Sequence, residues 1–176
     1  GLPDKGISKA LGILGFKYSE TSSREKTYAP WKVLTKSLLQ GPVILGPLDM
    51  GYLSYDPKHK NHSGIDHFVL AIEMVDENVR VHDPAGFPNA LIGKNDLSEA
   101  WRAEKIRYKR GWYRSWSIPT RKSHPSEEEV YSSAITWFKQ LYNTATEYAK
   151  KKERVIDVDA IKHLAEKVQK DELKQE

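Results

Sequence analysis

A chain of 176 residues, 39% hydrophobic and 30% charged, has the composition of a soluble globular protein and room for one core with an appendage. Its formal net charge of +4 comes with no basic stripe interleaved with aromatics, so the chain lacks the marks of a nucleic-acid binder. It has no cysteine, which excludes disulfides and thiolate metal sites, and no apolar run of the roughly 20 residues a membrane span needs. With no signal peptide or lipidation motif in view, a cytoplasmic protein without membrane contact is expected.

The elements follow in chain order. Ile7, Ala10, Leu11 and Leu14 share one helical face, and Gly15 suits a left-handed end to that helix. Residues 19–29 are polar and read as a loop. Pro30 opens a second helix with an apolar face of Trp31, Leu34, Leu38 and Leu39, ended by Gly41. Residues 42–47 form a short apolar run bounded by Pro and Gly, the pattern of a buried strand. A polar loop over 54–64 leads to His67–Val75, apolar on both faces through Ile72 and so a covered central strand. After the turn Asp76-Glu77-Asn78, Val79–Asp83 returns as an antiparallel strand, stopped by Pro84-Ala85-Gly86. Asn95 or Asp96 is placed to cap a short helix reaching Trp101. Trp112, Arg114, Trp116 and Ile118 then alternate with Tyr113, Ser115 and Ser117, the period of a strand, and Trp112 and Trp116 read as core packing.

The character changes after Pro119. Residues 1–119 hold 17 basic and 13 acidic side chains, and so the whole charge excess, whereas residues 120–176 hold 11 of each. Ser126 with Glu129 forms a capping box. Val130, Ala134, Trp137, Phe138, Leu141, Ala145 and Tyr148 then make a helical stripe, which packs on the core or forms a homodimer surface. Asp157 or Asp159 caps a last helix with Ile161, Leu164, Ala165 and Val168. Lys150-Lys151-Lys152-Glu153-Arg154 reads as a solvated connection. The expected fold class is α+β, with a mainly antiparallel sheet in a core over 1–119 and a helical extension over 120–176.

His67 at the start of one strand and Asp83 at the end of the next are the residue types of a proton-transfer pair. A neutral imidazole can take a proton from a nucleophile, while a carboxylate on its other nitrogen fixes the tautomer and stabilises the imidazolium. A simple hairpin register does not set the two opposite each other, so a bulge or bend near Asp83 is required. The bland readings are a strand-end histidine bonded to backbone and an Asp that caps the Pro84 turn. His59, His62, Asp66 and His67 are zinc-ligand types, but His-x-x-His in a Lys-rich loop falls short of a site pattern. No metal and no cofactor are expected.

The segment HFVLAIEMVDENVRVHDPAG, from His67 to Gly86, resembles the His-to-Asp segment of C39-like cysteine peptidases. Gly46-Pro47-Leu48-Asp49-Met50-Gly51-Tyr52-Leu53, Gly64-Ile65-Asp66-His67-Phe68-Val69 and His82-Asp83-Pro84-Ala85-Gly86-Phe87 are similar to the N-terminal domain of the butirosin biosynthesis protein H family. The resemblance covers residues 1–119 and implies a papain-like fold, with His67 and Asp83 as catalytic residues beside a cysteine. It implies thiol-dependent acyl chemistry on a peptide, an acyl carrier or a small-molecule amine. It also sets Asp49 at the substrate cleft, although an Asp there equally suits loop capping.

The family's nucleophile is a Cys on an early helix, and the helix at Ile7–Leu14 looks like the family's second helix instead. Three explanations stand. The Cys segment is missing from this chain, the protein is a pseudoenzyme that keeps a binding cleft, or a hydroxyl of Ser8, Ser22 or Ser23 replaces the thiol.

Overall fold

In the computed structural model, six antiparallel strands form one sheet in the order β1-β6-β2-β3-β4-β5. The structure describes residues 5–23, 29–106 and 112–151, with the backbone alone for Trp112 and 144–151. The strands are β1 (Phe16–Ser23), β2 (Val43–Asp49), β3 (Asp66–Val75), β4 (Asn78–Asp83), β5 (Phe87–Gly93) and β6 (Trp112–Arg121). The helices are α1 (Gly6–Ile13), α2 (Pro30–Leu38), α3 (Lys94–Arg102) and α4 (Glu127–Lys151), with short 3-10 turns at Met50–Tyr52 and Pro57–Asn61. The class is α+β.

One face of the sheet carries the core. Val43, Leu45 and Leu48 of β2, Val69 and Ala71 of β3, Val79 and Val81 of β4 and Ile92 of β5 are buried there. Leu34 of α2 and Leu97, Ala100 and Trp101 of α3 cover them. Trp101 is anchored by its indole N–H, which donates to Arg114 O at 2.8 Å, and Trp31 of α2 donates to Ser98 Oγ of α3 at 2.8 Å. On the other face Trp116 is buried and donates to Ser8 Oγ of α1 at 2.9 Å.

Several expectations need correction. Of the expected loop over 19–29, residues 19–23 belong instead to the edge strand β1, whose stability comes from polar cross-strand pairs, and residues 24–28 lie outside the described residues. Thr21 Oγ1 and Ser115 Oγ lie 2.8 Å apart, and Arg114 Nε donates to Glu20 Oε1 at 2.8 Å. β5 was not anticipated, because Pro88 reads as a breaker; at the sheet's other edge a missing N–H costs no ladder bond. Neither Asn95 nor Asp96 caps α3, whose N-cap is Gly93 with no side-chain bond. Leu39 lies past the end of α2 and is 85% exposed rather than packed.

β2 and β3 lose register between Leu45 and Leu48, where Gly46-Pro47 is a cis peptide. At Gly46, φ is +151° and an added Cβ would stand 2.3 Å from Phe68 Cδ1. Gly46→Ala is therefore expected to destabilise the protein by about 2 kcal/mol, read as a lower urea midpoint with an unchanged slope.

The chain divides into two compact units, Gly1–Pro125 and Ser126–Glu176, and β6 carries the first beyond residue 119. In the second unit, Ser126 N–H donates to Glu129 Oε2 at 2.7 Å and Glu129 N–H to Ser126 Oγ at 3.2 Å, the reciprocal pair of a capping box. Val130, Ala134, Trp137 and Leu141 of the expected stripe are half-buried, whereas Phe138 is 63% exposed. The expected last helix, from Asp157 onward, lies outside the described residues. Among the described residues no helix is long and apolar enough to cross a membrane.

Candidate functional site

β3 and β4 bring His67 and Asp83 together by parity and register. Leu70 pairs with His82 and Ala71 with Val81. Continuing that register sets Asp83 opposite Val69, two residues from His67 and on the same face. A diagonal pair of this kind is about 7–8 Å apart at the backbone, within reach of an imidazole and a carboxylate. The expected break in this hairpin is present, but in β3 between Ala71 and Glu73 and not at Asp83; the slip between Val81 and Asp83 belongs to the pairing with β5. The β3 slip is what brings the pair together: from the turn, Val75 pairs with Asn78 and Glu73 with Arg80, a register that unbroken would set Asp83 opposite Leu70, on the other face from His67.

His67 Nε2 lies 2.7 Å from Asp83 Oδ1. The carboxylate is an acceptor, so Nε2 carries the proton and Nδ1 is the free nitrogen. Among the described residues no group bonds to Nδ1. The Asp83 side chain is fully buried, while that of His67 keeps 16% of its surface exposed. The carboxylate is therefore held within the protein, and the imidazole stands between it and solvent.

Two further donors meet Asp83. Ala85 N–H reaches Oδ1 at 2.7 Å and the Tyr55 hydroxyl reaches Oδ2 at 2.5 Å. Burial alone would raise the Asp83 pKa. The bonds from Tyr55, Ala85 and His67 favour the ionised form and together outweigh burial, leaving the carboxyl below its ordinary range. Tyr55 moves the opposite way. Burial pushes its phenol far above the ordinary value, and the adjacent Asp83 charge adds to this, so it remains a donor.

Sequence reasoning missed Tyr55. It lies in the segment expected to be a plain polar loop, 28 residues from its partner. That segment folds over the end of the sheet. Its 3-10 turn buries His59, whose ring centroid is 6.0 Å from Phe87 and 6.2 Å from His67. Tyr55 packs on Phe87 at 5.6 Å. His59 Nδ1 donates to Leu53 O at 3.3 Å, a backbone bond of the structural kind. Among the described residues no group of three or more His, Cys, Asp or Glu is arranged to hold a metal ion.

Asp49 is 1% exposed and its oxygens are spent inside the loop. Oδ1 accepts from Gly51 N–H at 3.0 Å and Gly64 N–H at 2.9 Å, and Oδ2 from Ser63 Oγ at 3.4 Å. These are the bonds of a loop cap, and they close 50–64 into a unit. Asp49→Ala is expected to cost about 2 kcal/mol and to speed hydrogen exchange at the Gly51 and Gly64 amides. Unchanged protection there would count against the clasp.

The candidate serines stand elsewhere. Ser22 and Ser23 are on β1, separated from β3 by β6 and β2, about 14 Å at the usual strand spacing. Ser8, on α1, donates to Glu20 Oε2 at 2.9 Å and accepts from Trp116. No serine of the three stands beside His67.

No family model and no solved structure matches the chain. A curated protein of Bacillus subtilis (strain 168), the uncharacterized protein YobF, is 44% identical over 140 residues, which is 80% of this chain and 46% of YobF. The chain thus spans less than half the length of that relative.

Proposed function

We propose that this chain supplies the proton-transfer half of a thiol-dependent acyl site in a papain-like, C39-like core. His67 is the general acid and base, Asp83 orients it, and the sulfur nucleophile lies outside these 176 residues. The observation that carries the reading is the His67–Asp83 bond, made through Nε2 by a fully buried carboxylate. That bond leaves Nδ1, on a partly exposed ring, to take the proton of a thiol. The resulting thiolate attacks a carbonyl carbon to give a tetrahedral intermediate. As that intermediate collapses, the imidazolium returns its proton to the departing amine or thiol, and Asp83 steadies the cation throughout.

The resemblance to the butirosin biosynthesis protein H family favours an acyl carrier or a small-molecule amine as partner, and the likeness to C39 enzymes favours a peptide. The test uses the full gene product, including whatever precedes Gly1, treated at neutral pH with a limiting iodoacetamide probe. The reading predicts one cysteine that is alkylated far faster than a free thiol, because a neighbouring His holds it as thiolate. Uniform, slow labelling would overturn it. A second reading rests on the absence of any cysteine from the chain. In it, the same site binds a peptide, carrier or small molecule without chemistry. A gene with no cysteine codon upstream of Gly1 would select that reading.

A further inference from the structure

Both Asp83 donors other than Tyr55 fall on one oxygen. His67 Nε2 and Ala85 N–H meet Oδ1, each at 2.7 Å, while Oδ2 has Tyr55 alone among the described residues. Hydrogen bonds on one oxygen leave a carboxylate some residual swing about its Cβ–Cγ bond, which has a broad torsional well, and that swing carries both oxygens together. A donor fixed on the second oxygen removes that freedom. We propose that Tyr55 is a positioning residue of the His67–Asp83 pair, its hydroxyl holding Oδ2 so that Oδ1 stays aimed at His67 Nε2. The proposal deepens the acyl-transfer reading and rests on it.

Tyr55 is itself well placed for this. Its ring packs against Phe87, with centroids 5.6 Å apart, and edge-on to His59 at 5.9 Å. Its segment lies between two Asp-capped turns, one closed by Asp49 on Gly51 N–H and one by Asp56 on Lys58 N–H. The hydroxyl therefore arrives on a braced support and not on a free loop. Among the described residues, the titratable groups that this segment brings to the pair are Tyr55, Asp56 and His59. Asp56 lies 3.5 Å from His59 Nε2, and its charge also acts on Tyr55, helping to keep the phenol protonated. Burial and the Asp83 charge keep the phenol protonated, so it donates and never competes with His67 as a base.

The experiment is a carbon-13 titration of the Asp83 carboxyl, with nitrogen-15 spectra of the His67 ring, in the full chain. It compares wild type, Tyr55→Phe, and a protein with 3-fluorotyrosine incorporated at position 55 alone. Loss of the hydroxyl is expected to raise the Asp83 midpoint by about one pH unit and to reduce the Nε2–H form of neutral His67. The ring fluorine makes the phenol a stronger donor, so the near-isosteric fluorinated protein is expected to shift the midpoint downward, and it serves if Tyr55→Phe does not fold. Midpoints that stay put, or that move the same way in both variants, would overturn the positioning role. Failure of the pair itself reads differently. In that case the wild-type His67 ring would already lack an Asp-bonded Nε2–H.

Discussion

Asp83→Ala is expected to lower the unfolding free energy by about 3 kcal/mol and the melting temperature by roughly 10 °C. The substitution removes the acceptor for three donors at once, the Tyr55 hydroxyl, the Ala85 amide and His67 Nε2–H. Asp83 is buried, and solvent has little access to restore those bonds. Asp83→Asn keeps the shape and one acceptor oxygen, so its cost should be about half as large. Urea unfolding followed by the fluorescence of buried Trp101 and Trp116 measures both.

The pH dependence has a defined sign. Burial raises the Asp83 carboxyl, but its bonds to Tyr55, Ala85 and His67 bring the folded value below the ordinary one. A depressed folded value means that the carboxylate's stabilisation is complete above the unfolded value, near pH 4, and is lost as pH falls through the folded value. The stability gap between wild type and Asp83→Asn should therefore be widest near pH 6 and should narrow in acid. A gap that grows as pH falls would show that the carboxyl is held protonated.

His67→Ala is expected to lower turnover of an acyl thioester by the full gene product about 1000-fold, with a much smaller change in KM. The ring would serve the transition state at two points, taking the thiol proton and returning it to the leaving group. Its loss removes stabilisation that substrate binding alone does not use. The side chain is partly exposed and donates one bond, so the variant should stay folded. Steady-state kinetics and a near-UV spectrum on the same sample separate a catalytic loss from a folding loss. A turnover within tenfold of wild type would remove His67 from the chemistry.

Local chemistry made parts of this structure legible in the sequence. The capping box at Ser126 and Glu129 involves neighbours in the chain, and α4 starts there. β3 and β4 declare themselves through apolar runs around a two-residue turn, and they carry His67 and Asp83. The edges were opaque for opposite reasons. β1 is polar and held by partners about 94 residues away, such as Ser115 and Arg114, which no local pattern reveals. β5 opens with Phe87-Pro88-Asn89, which has turn chemistry yet is tolerated on an edge strand. Tyr55 was opaque because a single ring in a polar loop has no period. What marks it is a long-range bond to a buried carboxylate, and that appears only when the loop folds over the sheet.

The tautomer of His67 tests the account most directly. Nitrogen-15 spectra of the ring, assigned through a His67→Gln control, should show neutral imidazole protonated at Nε2, with Nδ1 unprotonated and the Nε2 proton in slow exchange. That signature should disappear in Asp83→Ala. A neutral ring protonated at Nδ1, or one whose spectrum ignores Asp83→Ala, would contradict the claim that this histidine is held by its buried carboxylate with a nitrogen free for chemistry.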